Sequence, residues 1–234
     1  MRRRIWELDA LRGLLILCMV AIHLTYDLVD LYRVVTLENP FWYRLGTAWG
    51  GVPFVVISGI CASFGSRPVR RGATVFACGM LCTLVTALMY LLRFTGKGIV
   101  IYFGILHCLG VCMMLWPLLK KVPAPVQAVL GIGIIALGLY TRDHLRVDFP
   151  WLVPLGIPNW GFSSSDYFPL LPNLGYFLVG AALGKRLYPA RQTLFPRVND
   201  RNPILRFFTF CGRHSLLIYL IHQPVLAGLL ALIL

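Results

Sequence analysis

The chain is a succession of apolar runs long enough to cross a lipid bilayer, which restricts it to elements whose backbone groups are satisfied internally. A helical span needs about 20 mostly apolar residues to cover about 30 Å of hydrocarbon. Seven stretches are candidates, at residues 9–31, 46–66, 72–93, 99–119, 125–141, 167–185 and 205–233. Turn-like or charged breaks separate them, among them "GSRPVRRG", "RFTGKG", "KKVPAP" and "GKRLYPARQTLFPRVNDRNP". Only 13% of the 234 residues are charged, against roughly 25% in a soluble domain. The expected fold class is all-α, a polytopic membrane helix bundle of about seven transmembrane spans forming a single domain over residues 1–234.

The N-terminus "MRRRIWELDALRG" has the basic start of a secretory signal, but its apolar run continues for about 20 residues with no small-x-small cleavage site, so it reads as a retained span. With the N-terminus cytoplasmic, 16 of the 22 Lys and Arg fall on the inner side, as the positive-inside rule requires. That topology accounts for most of the net charge of +13 without nucleic acid as a partner. The segment 149–160, "FPWLVPLGIPNW", is apolar but holds three prolines and is too short to cross; its place is the outer interface or a re-entrant turn. The seven cysteines lie within or at the ends of apolar segments and read as small packing residues. Cys78/Cys82 and Cys108/Cys112 have a helical spacing, but no histidine or second pair completes a metal site in register.

The first span, "DALRGLLILCMVAIHLTYDLVD", carries charged and titratable groups that are costly in hydrocarbon. Arg12 and His23 are eleven residues apart, three helical turns plus about 20°, so they share a face. Asp9 lies three residues before Arg12 and Asp27 four after His23, which extends the same stripe. The rise of about 16 Å from Arg12 to His23 puts the arginine near the cytoplasmic mouth and the histidine near mid-membrane. Such a stripe must face the bundle interior or a watered cavity. His107 and His222 reach similar depth and are candidates to line the same cavity. Histidine passes protons near neutral pH, and a carboxylate one turn away can fix its tautomer and stabilise its cation. Asp27 is placed to do this for His23, whereas Arg12 suits a bidentate phosphate contact. Asp166, after "SSS" at the outer mouth, either caps the next helix or binds an acceptor. Ser58 beside Gly59 serves close helix packing or lines the cavity.

"LDALRG" followed by His23 resembles the first-span motif of the membrane acyltransferase family 3 and its superfamily. "GGVPFVVISGICAS", with Phe54, Ser58 and Gly59, is similar to the second span of those enzymes, and "GRHSLLIYLIHQPVL" to their last. Within the superfamily, "YFGILHCLG" and "DYFPLLPNLGYFLVGAALGK" most resemble compact bacterial proteins related to the catalytic domain of heparan-alpha-glucosaminide N-acetyltransferase. The resemblance implies transfer of an acyl group, usually acetyl from cytosolic acetyl-CoA as cosubstrate, to a hydroxyl or amine of a glycan or other small acceptor on the outer side. It implies Arg12 as a cofactor contact and His23 as the catalytic histidine, in a multi-pass protein of the cell membrane. The competing classes are a proton-coupled transporter, which also uses intramembrane His and Asp, and a non-catalytic scaffold. Neither inverted repeats nor paired broken helices are evident, which counts against the carrier.

Overall fold

The computed structural model describes residues 5–36, 40–198 and 202–233. Arg2, Arg3, Arg4 and Arg201, counted above on the inner side, lie outside them. Nine α-helices are described: α1 (Trp6–Tyr26), α2 (Phe41–Trp49), α3 (Val52–Phe64), α4 (Pro68–Leu91), α5 (Ile105–Leu119), α6 (Ala124–His144), α7 (Leu170–Leu187), α8 (Pro203–Arg213) and α9 (Ser215–Ile233). The all-helical class is as the sequence implied. Four helices are long and apolar enough to cross a membrane, at Trp6–Leu31, Pro68–Leu91, Ala124–His144 and Ser215–Ile233, with a fifth if α2 and α3 make one broken span.

The seven apolar runs thus resolve into four or five helices of spanning length, and the shortfall has local causes. Run 99–119 yields only the 15 residues of α5, because the chain ahead of it pairs with another segment instead of coiling. Run 167–185 yields α7, which is not among the helices of spanning length. Run 205–233 keeps one such helix, α9, but breaks at His214 so that α8 precedes it as a separate helix. Asn202 caps α8, its side chain accepting from the Ile204 N–H at 2.9 Å, and the helix carries Arg206 and Arg213 that a spanning segment would have to bury. The proline-rich segment forms a 3-10 turn, Pro150–Leu155, that leaves Trp151 and Trp160 exposed.

The chain divides into two compact units. The first comprises Met1–Phe54 and Ala190–Leu234. Here α1 and α8 meet backbone to backbone: a Cβ on Gly13 would strike the Phe208 carbonyl, and one on Gly212 would strike the Asp9 carbonyl. In lipid, apolar side chains gain nothing by leaving their neighbours, so close approach at small residues supplies the attraction. Glu7 adds a polar tether, its carboxylate accepting from Thr193 Oγ1 and from the Leu194 N–H, each at 2.8 Å. A π-helical turn, Asp27–Leu31, continues α1, and Tyr43 of α2 donates to Asp30 within it at 2.5 Å.

The second unit is Val55–Pro189. Its core gathers Val55, Trp116, Phe177 and Ala181 around the buried Cys108 and Cys112. The packing role read for these two cysteines is what they perform. Glycine again sets the approach of helices: Gly59 lies on the Phe177 carbonyl, and Gly180 on the Val56 carbonyl, which locks α3 to α7 from both sides. Lys185 of α7 donates to the carbonyls of Lys120 and Val122 at 2.8 and 2.7 Å, capping the end of α5. The outer faces of α4 and α6 are apolar, with Leu84 and Val129 among the most exposed. Such faces are stable only against hydrocarbon.

Candidate functional site

The polar stripe of α1 is formed as its spacing predicts, and the first unit surrounds it with groups from α8 and α9. At the N-terminal end Asp9 Oδ1 lies 3.6 Å from Arg12 Nη1, and Asp9 Oδ2 lies 3.5 Å from Arg213 Nε. One carboxylate therefore faces two guanidiniums. Arg213 is a partner that sequence reasoning missed, because it comes from α8 and its register against α1 depends on the contact at Gly212.

Further along α1, the half-buried His23 lies edge-on to His222 of α9, ring centroids 4.9 Å apart. His23 Nδ1 is 2.9 Å from the Met19 carbonyl, and His222 Nδ1 is 2.6 Å from the Tyr219 carbonyl. A carbonyl oxygen can only accept, so in both rings Nδ1 carries the hydrogen and Nε2 holds the lone pair. His222 is 8% exposed, and its Nε2 is buried with no hydrogen-bond partner among the described residues. His222, a candidate read from its depth in the sequence, is thus brought against His23.

Asp27 is 2% exposed and opens the π-helical turn that ends α1. Such turns occur often at functional sites, because they re-aim a side chain within an otherwise regular helix. Its carboxylate interacts electrostatically with His23, yet its hydrogen bond comes from elsewhere: Gln223 Nε2 donates to Asp27 Oδ1 at 3.4 Å. The expectation that Asp27 fixes the His23 tautomer is corrected here, since a helical histidine reaches the carbonyl four residues back and Met19 takes that role. The sequence signal that could have singled out Gln223 is an amide inside an apolar run.

The second unit holds His107, Asp166 and Ser58. Both ring nitrogens of His107 are engaged: Nδ1 accepts from the Gly104 N–H at 3.1 Å, and Nε2 lies 3.3 Å from Thr83 Oγ1, which itself donates to the Ile101 carbonyl. The ring is thus the neutral Nε2–H tautomer, saturated by structural partners. Asp166 Oδ2 accepts from the Ile105 N–H at 3.1 Å and so caps α5, not the helix that follows it in sequence. Its neighbours extend this strap, with Ser164 donating to the Val100 carbonyl and Ser165 to the Ile99 carbonyl. Ser58 is half-buried on α3, next to the glycine that meets α7. Replacing His107 with Leu strands the Gly104 N–H in a buried site, with an expected loss of about 1–3 kcal/mol. Thermal unfolding in detergent checks this; an unchanged midpoint would show that the ring carries no such bond.

No group of three or more His, Cys, Asp or Glu able to hold a metal occurs among the described residues. Residues 4–224 match the family model described as heparan-alpha-glucosaminide N-acetyltransferase, catalytic. No curated protein and no solved structure matches the chain significantly.

Proposed function

The chain belongs to the heparan-alpha-glucosaminide N-acetyltransferase catalytic family, a family of membrane acyltransferases, and from that membership we propose that it transfers an acetyl group from acetyl-CoA to a hydroxyl or amine of a glycan or similar small acceptor. His23 is the catalytic residue in this reading. With Nδ1–H fixed on the Met19 carbonyl, His23 Nε2 is the atom that takes the proton from the acceptor as the acceptor attacks the thioester carbonyl. The thioester C–S bond breaks, the acetyl group moves to the acceptor, and the proton held on Nε2 is available to the departing thiolate. In the alternative covalent route the same Nε2 attacks the thioester carbonyl, and the C–S bond breaks as the CoA thiolate leaves. The resulting acyl-imidazole yields its acetyl group to the acceptor, whose proton goes to the thiolate. Asp27 stabilises the imidazolium through space in either route.

Arg12, with Arg213 beside it, supports the placement of the donor. Both guanidiniums at this end have the planar fork of donors that suits the phosphates of a nucleotide-bearing cosubstrate. With the N-terminus inside, this end faces the cytosol and the acceptor comes from the outer side, in a multi-pass protein of the cell membrane. The observation that carries the proposal is the pair of Nε2 lone pairs on His23 and His222, one of them buried without a partner.

The test is consumption of labelled acetyl-CoA by the detergent-purified protein with a panel of amino- and hydroxyl-bearing sugars. Label is expected in the acceptor, or on the protein where no acceptor is present. Absence of binding and consumption across the panel would overturn the reading, and proton flux into protein-containing vesicles would then favour a carrier built on the same His and Asp groups.

A further inference from the structure

Gln223 bridges the site in a way that its neighbours do not. Asp27 is a buried carboxylate, and burial of that charge is costly unless hydrogen bonds and countercharge replace the lost water. Among the described residues its one hydrogen bond comes from Gln223 Nε2. Reversing the amide would set its carbonyl against the carboxylate, so Asp27 itself fixes which end of Gln223 points where. The other end, Oε1, is buried and without a partner, as is Nε2 of the adjacent His222. An amide with one end committed to a carboxylate and the other empty is incomplete without a ligand that brings a hydrogen.

We propose that Gln223 is a positioning residue: its nitrogen holds the Asp27 carboxylate in the orientation that serves His23, and its carbonyl receives from an amine acceptor a hydrogen other than the one His23 takes. The proposal rests on the transferase reading for the second role but not for the first. No bond to Gln223 forms or breaks. The proton taken in the reaction goes to His23, and Gln223 only aligns its donor. The titratable groups facing this cluster are His23 and Tyr26 of α1, Asp30 of the π-helical turn, Tyr43 of α2 and His222 of α9. The contact of α8 with α1 at Gly13 lies about 20 Å along the helix from Asp27.

Gln223→Leu in the full-length protein is expected to lower kcat about 10- to 100-fold with the KM for acetyl-CoA nearly unchanged. It should also lower the unfolding temperature of the wild type more than that of the Asp27→Ala background, because only the wild type then keeps a buried carboxylate without its donor. Gln223→Glu keeps the shape and supplies a donor only when protonated, so its activity should approach wild type at low pH and decline as pH rises. An unchanged kcat in Gln223→Leu, or equal destabilisation in both backgrounds, overturns the proposal. If that variant does not fold, a wild-type pH profile in Gln223→Glu overturns it instead. If wild type transfers no acetyl group, the transferase reading falls while the comparison of the two backgrounds still decides the Asp27 role of Gln223.

Discussion

His23→Ala is expected to lower kcat for acetyl transfer by about 10³-fold while leaving the unfolding temperature close to that of wild type. The separation follows from how the ring is held. His23 is half-buried, and its hydrogen bond runs to the Met19 carbonyl of its own helix, a group that keeps its backbone partner without it. Alanine is also the better helix former. The loss should fall on the proton-transfer step, so kcat and kcat/KM decline together and the KM for acetyl-CoA changes little. Parallel single-turnover measurements with labelled acetyl-CoA separate the two chemical routes: transient label on wild type, absent from the variant, marks the acyl-imidazole. Activity within about threefold of wild type would remove His23 from the chemistry.

Gly212→Val is expected to destabilise the first unit by about 3 kcal/mol or more, at the upper end of the range for overpacked sites. The obstacle is backbone, not the tip of a flexible side chain: the new Cβ would collide with the Asp9 carbonyl, and the facing Gly13 lies equally tight against Phe208. Relief requires α8 to move away from α1, which also separates Arg213 from Asp9. Gly133→Ala on α6 is the control, because a Cβ there meets nothing within 4 Å. It should be neutral or stabilising by up to about 1 kcal/mol through helix propensity. Denaturation in mixed micelles, following tryptophan fluorescence, compares the two; equal stabilities would mean that the α1–α8 contact is not a tight one.

The helical period made the α1 stripe legible, because Asp9, Arg12, His23 and Asp27 belong to one element and spacing alone fixes their common face. Their partners were less accessible. His222 could be recognised by type and depth, but its ring contact with His23 depends on the packing of α9. Arg213 and Gln223 gained their roles only from tertiary register. The division of run 205–233 at His214 was hidden because hydropathy averages over a short break, whereas the paired Arg213 and the Gly212 contact act at single residues. Asp166 carried a capping signature whose target, α5, lies about 60 residues earlier in the chain. The nearest following helix was the natural expectation, and the strap formed by Ser164 and Ser165 selected the other.

The pairing of the first helix with the last two also sets an order for biosynthesis. α1 leaves the ribosome about 180 residues before α8 begins, an interval of roughly 10–40 s at common translation rates. Throughout that time Asp27 and His23 are in or beside the bilayer without Gln223 and His222, and Asp9 is without Arg213. This span is thus inserted well before the helices that complete it. Its retention during synthesis depends on the insertion machinery, or on water held along its polar face, until the C-terminal helices arrive.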